Sequence, residues 1–350
     1  MKNIIAVLMI VTFLSSSAQA FSVFAVKKEG AKKGPVKSFI EQKRLEREQE
    51  NAVKNDINEI KNVLKCLTEY SNEHNVEKVL TLYDKSYRSF DGFNYETFTK
   101  MLKETFEAYD NLTYESDIQG INLYKDKAVV TLVDTTRATL SSPKAKKNAD
   151  ENSDMSTGYL EGECNYAIYL QKINGCWKII GDNVISEITS IKYGSAREYP
   201  MEFTAPMNAP YDSDYCLTLK MTPKKHTKVV ASLGKEEILY PSAEPRDVFR
   251  KLPKDGILER VVHSNENGFN EYAIASVGIT KMDVAQDLSV IEFQMTGLAF
   301  LMQRVNLYKD INPLREVKKD KENTLKDTDK AKDKSEPEKE DKKDNVKNKG

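Results

Sequence analysis

The side chains best suited to metal binding or nucleophilic chemistry are few and scattered in this chain. Histidine occurs three times, at His74, His226 and His263. No two of these share the short spacing that lets neighbouring imidazoles hold one ion. His74 follows Ser71-Asn72-Glu73 at a helix end and His226 follows Lys224-Lys225 in a turn, so both read as solvated. The four cysteines, Cys66, Cys164, Cys176 and Cys216, contain no Cys-x-x-Cys pair, which removes zinc-ribbon and dithiol redox readings. Asp150, Asn152, Asp154 and Glu161 fall at positions 1, 3, 5 and 12 of a calcium-loop pattern. Met155 stands where that loop requires glycine, and strand patterns flank it, so a solvated loop is expected. The nucleophile elbow, the Walker loop and the dinucleotide glycine motif are absent. The sequence therefore assigns no catalytic residue, no metal site and no cofactor.

Carboxylates remain, and acid–base work in a pocket needs one aimed inward. The hairpin around Asn174-Gly175 tests several of them. A two-residue turn there pairs Ile173 with Cys176 and Lys172 with Trp177, and the alternation of a regular ladder fixes the rest. One face then carries Trp177, Ile179, Ile185, Cys164, Tyr166, Ile168 and Leu170 and should meet the core. Glu161, Glu163 and Asp182 fall on the other face, unless a bulge reverses the alternation beyond it. Asp117 and Asp134 are the other acid candidates, and both are expected near strand ends in solvent.

The elements that would position these groups are legible from periodicity. Residues 37–53 are mostly charged and read as an exposed helix. Ile57, Ile60, Leu64, Leu67 and Tyr70 then define a buried helical stripe, and Val76, Val79, Leu80 and Tyr83 a shorter one. Asp91-Gly92 is a turn. Asn94 caps a third helix, with an inner face of Phe98, Met101, Leu102, Phe106 and Tyr109. Strand patterns follow over 113–124 and 128–138, and over 159–172 and 176–189 on either side of Asn174-Gly175. Beyond residue 195 the helical period disappears. Short apolar runs at 215–221, 229–233, 257–263, 272–280, 290–295 and 299–307 suggest a β-sandwich. Pro200, Pro206 and Pro210 mark the junction.

Export is the firmest expectation. Lys2, the apolar run 4–14 and the small residues closing on Ala18-Gln19-Ala20 form a cleavable signal, which puts the mature start at Phe21 and the protein in the periplasm or outside the cell. The apolar run is too short for the roughly 20 residues that span a bilayer, so no membrane span is expected after processing. The formal net charge of −1 gives no general attraction to nucleic acid. The domain plan is a signal peptide over 1–20, a flexible leader and charged helix over 21–53, an α+β domain over 54–194, a β-sandwich-like domain over 200–312, and a disordered Lys/Asp/Glu-rich tail over 313–350.

The residues from Ile57 to Tyr70, the run Val79-Leu80-Thr81-Leu82-Tyr83-Asp84, the Asp91-Gly92 turn, the stretch 98–109 and the run Gly175-Cys176-Trp177-Lys178-Ile179-Ile180 carry a resemblance. Over roughly residues 54–192 the chain resembles the nuclear transport factor 2 superfamily, including its polyketide-cyclase-like branch. The resemblance implies an α+β cone, in which a curved antiparallel sheet wraps helices around a pocket. Its ketosteroid-isomerase branch implies an Asp base with a Tyr or acid donor, a part open to Tyr70, Tyr83 or Tyr87. No motif-matched residue fixes those roles. If the cone forms, Tyr83, Tyr87, Phe90, Tyr166 and Trp177 are the pocket candidates, since aromatic walls suit an apolar ligand. The function expected is an exported, non-catalytic envelope protein. Its cone would bind a small apolar ligand or a protein partner, and its β-sandwich would serve adhesion or assembly. The alternatives are an isomerase or dehydratase using Asp117 or Asp134, and a structural homodimerisation module. A polar pocket holding a buried acid favours the enzyme, a dry aromatic one favours binding, and a filled core favours the scaffold.

Overall fold

The computed structural model describes residues 35–141, 155–242, 247–284 and 291–309. The expected signal, the leader up to residue 34, most of the calcium-like loop and the charged tail lie outside them. Among the described residues no helix is long and apolar enough to cross a membrane.

Helix α1 runs Pro35–Asn72, so the charged segment and the buried stripe are one continuous element. Only its second half packs: Ile60 and Leu64 are buried, whereas Phe39, Ile40 and Leu45 are exposed. Helix α2 (Val76–Thr81) is capped by Asn75, whose side chain accepts from Lys78 N. Tyr83 was expected on the same helical stripe, but the chain turns extended at that point and forms strand β1 (Tyr83–Ser89). The helical spacing of apolar residues ended one residue too late to show this. Helix α3 (Tyr95–Ala108) begins at the expected cap, where Asn94 Oδ1 accepts from Thr97 N at 2.9 Å. Phe98, Met101 and Leu102 face inward from it.

Four long strands follow: β2 (Asp110–Tyr124), β3 (Lys127–Ser141), β4 (Thr157–Ile173) and β5 (Cys176–Gly194). They pair in sequence order as an antiparallel meander, with β1 added parallel to β5. Asn174 and Gly175 both take positive φ, 50° and 82°, the conformation of the two-residue hairpin turn predicted for them. The three helices cover the inner face of these strands, and their apolar side chains form one core.

The second half departs from the expected separate sandwich. Its long strands are β9 (Thr227–Glu237), β12 (Glu271–Val284) and β13 (Ile291–Tyr308). They extend the same sheet, because β13 pairs antiparallel with β5 from Ile188↔Gln303 to Gly194↔Gly297. A ten-stranded sheet results, with the short strands β7 (Asn208–Pro210) and β10 (Arg250–Lys251) at its margins. A separate three-stranded sheet, β6 (Met201–Thr204), β8 (Asp214–Met221) and β11 (Ile257–His263), supplies Leu217, Leu219 and Val262 to a second core. Facing residues there include Ala273, Ala275 and Val277 of β12. The core beyond residue 200 therefore lies between this small sheet and the continuation of the large one. Residues 195–198 form a single 3-10 turn between the halves.

Trp177 lies against the helices, as its position on the hairpin required. It is buried, and its Nε1 donates to Asp56 Oδ1 of α1 at 3.2 Å. Lys172 Nζ reaches the same oxygen at 2.6 Å and clamps the hairpin end to the helix. Replacing Trp177 by Ala should cost about 3–5 kcal/mol in a urea melt. As the only tryptophan it reports alone, and native emission at the wavelength of a solvated indole would contradict its burial.

Candidate functional site

The register of the β4–β5 hairpin decides which acids face the core. It follows the regular ladder only from Ile173↔Cys176 to Leu170↔Ile179. Beyond that, Tyr169 pairs with Gly181, so Ile180 is an extra residue on β5. A second bulge leaves Ile185 extra, since Tyr166 pairs with Val184 and Asn165 with Ser186. Each bulge flips the faces that follow. Asp182, expected in solvent, is only 3 % exposed on the inner face, and Glu187 is buried there too. Ile185, expected in the core, is exposed instead. Glu161 and Glu163 precede the bulged stretch on β4 and stay outside as expected.

The approach of β1 shapes the first bulge. Arg88 pairs with Gly181, and a Cβ on Gly181 would sit 2.7 Å from the Arg88 carbonyl oxygen. Only glycine allows the two backbones this close.

Asp134 is the second correction. It lies in the middle of β3, with Ser116 on one side and Cys164 on the other, and Cys164 in turn pairs with Glu187. A row of polar residues thus crosses the inner face of four strands. Leu132 and Thr136, two positions either side of Asp134, are buried and confirm its inward face. Asp117 is in solvent as expected, but at the middle of β2 rather than near its end: it is exposed on the outer face and accepts from Gln119 Nε2.

These inward acids border a partly open cavity of about 90 Å³ between the helices and the sheet. Tyr83, Tyr114 and Tyr166 line it with Phe98, and Thr68 and Ser71 of α1 contribute hydroxyls. The Tyr166 hydroxyl donates to Asp134 Oδ2 at 2.5 Å, reaching it from the diagonal position on β4. The Tyr87 hydroxyl donates to Asp182 Oδ2. The remaining oxygens, Asp134 Oδ1 and Asp182 Oδ1, are closed off from solvent and have no hydrogen-bond partner. Burial pushes the Asp134 carboxyl up to about 6, although the Tyr166 and Ser116 hydroxyls pull the other way. Burial likewise holds Asp182 well above the ordinary carboxylate range, against the opposing pull of Tyr87. The Tyr83 hydroxyl is raised by burial and then by the charges of Asp182 and Asp134, so the field of both acids reaches it.

The five aromatic candidates separate. Tyr83 and Tyr166 line the cavity. Tyr87 stands behind Tyr83, with ring centroids 5.2 Å apart, and holds Asp182. Phe90 is 57 % exposed and points away from the core, because it sits in the turn after β1 rather than on the strand. Trp177 is core at the hairpin end and is not among the residues that line the cavity. Sequence reasoning missed Tyr114, which shares the inner face of β2, and Asp182. The glycine at 181 was the available signal for Asp182.

Behind the cavity the second half supplies a buried cation. Arg304 of β13 is fully buried, and its Nη2 meets Asp91 Oδ1 at 2.6 Å. Asn270 Nδ2 donates to the same oxygen at 2.8 Å, and Arg304 Nε donates to Asn306 Oδ1 at 2.7 Å. Burial alone would lower the guanidinium, and Asp91 beside it raises it instead. Burial pushes Glu187 up to about 8, with Arg304, Thr189 and Tyr272 opposing. Among the described residues no three metal-capable side chains come together, and all four cysteines are free.

No protein-family model matches the chain, and no curated protein matches it. Solved structures do. A protein of the NTF2-like family from Streptomyces avermitilis is 9 % identical, with 37 % of this chain and 95 % of that one covered and a TM-score of 0.30. A conserved protein from Planctomyces limnophilus is 12 % identical, with 37 % and 94 % covered and a TM-score of 0.29. A protein from Kribbella flavida is 10 % identical, with 38 % and 90 % covered and a TM-score of 0.31. Each of these matches covers little more than a third of this chain.

Proposed function

We propose that the cone encloses a small-molecule site whose working group is Asp134, exchanging a proton with its bound ligand. The observation that supports this is the carboxyl itself: Asp134 borders the cavity, its Oδ2 is held by Tyr166, and the acid is pushed up to about 6. A carboxylate with that affinity gives up and takes back a proton near neutral pH, which suits general acid–base work. Tyr166 fixes its orientation, and Ser116 flanks it. The chemistry favoured is proton transfer at a carbon beside a carbonyl, or loss of water from such a compound, an isomerase or dehydratase type of reaction. The cavity has aromatic and apolar walls but is bordered by two buried acids, Asp134 and Asp182, and those acids favour this over the non-catalytic aromatic pocket expected from the sequence. On the strength of the amino-terminal sequence, we place the site outside the cytoplasm.

The test is a carboxyl carbon titration by NMR together with proton exchange from small enolisable ketones in D2O. Asp134 should titrate near 6, and exchange should rise with pH through the same value. Asp134→Asn should lower the exchange by about 10²- to 10⁴-fold. An Asp134 that titrates near 4, as a solvated carboxyl does, defeats the proposal.

A further inference from the structure

The second core ends in a gap that shares no lining residue with the Asp134 cavity. The two lie on opposite faces of the large sheet. Along β13, Leu298, Phe300 and Met302 pack with the first core, and Ala299 and Leu301 with the second. The gap has a volume of about 70 Å³ and opens between β9, the segment 248–250 and β11. We propose that it binds an aliphatic carboxylate, held between Arg250 and Arg260. This site stands apart from the proton exchange assigned to Asp134 and does not depend on it.

The first argument is where the two guanidinium groups point. Arg250 pairs with Ala231 across the β10–β9 ladder, so their side chains share a face, and Ala231 belongs to the second core. Arg260 pairs with the buried Leu217 and alternates with Leu258 and Val262, which face that core from the small sheet. The two arginines therefore approach from opposite layers, and both line the gap. Arg260 Nη1 crosses it to donate to the Leu233 carbonyl oxygen, which fixes the guanidinium and leaves its other N–H groups able to donate. Among the described residues Arg250 has no hydrogen bond or ion pair. Glu259 is the only acid among the lining residues. It pairs with Thr218 and sits between the inward Leu258 and Arg260, so its side chain points to the outer face of the small sheet. Two positive groups thus meet with no carboxylate between them.

The walls and the size select among anions. Each guanidinium presents a planar fork of N–H groups that matches the two oxygens of a carboxylate. The fork matches phosphate too. The remaining walls, however, are Ala231, Leu233, Val248 and Leu258, and a phosphate ion has no apolar part to cover them. A short alkyl chain does, at about 25 cal/mol for each Å² removed from water. The volume is well below the ~150 Å³ of an engineered apolar cavity that admits benzene, so the chain must be short or extend out through the open side.

The experiment follows the arginine Nε–Hε signals of the full chain by NMR at pH 7, where a carboxylic acid is ionised. Butyrate, butyramide and inorganic phosphate are added separately at constant ionic strength. Butyrate should shift the Arg250 and Arg260 signals and bind at least tenfold tighter than butyramide, the ratio that one charge-assisted hydrogen bond supplies. It should also bind tighter than phosphate. Arg250→Gln should weaken butyrate about tenfold, read from the Arg260 signal. Since Arg250 has no bond to lose in the free protein, its variant should keep the wild-type urea midpoint, which separates loss of the site from loss of the fold. Arg260→Lys keeps the charge without the fork and should weaken butyrate nearly as much. Glu259→Gln should not weaken it. Absence of butyrate binding, butyramide binding as tightly as butyrate, or an Arg250→Gln protein that binds butyrate like wild type overturns the site. Phosphate binding tighter than butyrate overturns the aliphatic carboxylate as its ligand.

Discussion

Replacing Arg304 by Met should lower the stability of the protein by about 3–5 kcal/mol, read from urea unfolding midpoints. The guanidinium is fully buried and meets Asp91, whose side chain is also buried. Methionine fills much of the same volume, so the loss reports the uncompensated acid rather than an empty space. The variant also removes the positive charge that draws Asp182 and Glu187 downward, so both should hold their protons to higher pH. Adding Asp91→Asn should restore most of the stability, since the orphaned charge is then gone. A single variant that loses less than about 1 kcal/mol would show that the pair is no better than an exposed one.

Stability should also fall as pH rises from 5 to 8, by about 3 kcal/mol. Glu187 in the folded chain is pushed up to about 8, above the value near 4.3 of an unfolded glutamate. Below the unfolded value both states hold the proton and its contribution is complete. Between the two values the unfolded chain releases its proton while the folded chain keeps it, so stability declines until the pH passes about 8. Asp134, pushed up to about 6, acts in the same sense over a lower window. Glu187→Gln retains an oxygen for the Thr189 hydroxyl, which donates at 3.1 Å, and should flatten the decline. Denaturant midpoints measured across this pH range check both statements. A wild-type slope that is flat or rising would mean that Glu187 is ionised in the folded state.

The sequence made the helices, the turns and most strand positions legible because each rests on a local period or a capping residue. Asn94, Asn174 and Gly175 are such cases, and all three do in the structure what their types imply. The site was less legible because it depends on two single-residue insertions in one strand. Alternation read from Asn174-Gly175 is right as far as Ile179, and the extra Ile180 then sends Asp182 inward. Ile180 and Ile185 are ordinary strand residues, so their types give no warning. Asp134 was misplaced for another reason. Its neighbours Leu132 and Thr136 mark an inward face, but the hydroxyl that satisfies it comes from Tyr166, 32 positions away. The continuation of the sheet was hidden by distance as well. The apolar runs at 272–280 and 299–307 look alike as strands, and nothing within them names β5 as a neighbour.

The β5–β13 ladder has a consequence for how the chain acquires its structure. Gly194 pairs with Gly297, so this edge of the β2–β5 meander stays open until about a hundred further residues have been made. Contacts of such long separation form slowly, because the loop between them must close first. While it waits, the partly assembled meander presents a row of unpaired amides and carbonyls, with Ile188 among its side chains, to any other extended segment nearby. A newly made copy of this protein is thus most prone to pair with the wrong strand just before its last long strand arrives. Losses during production should concentrate in chains shortened within residues 291–308.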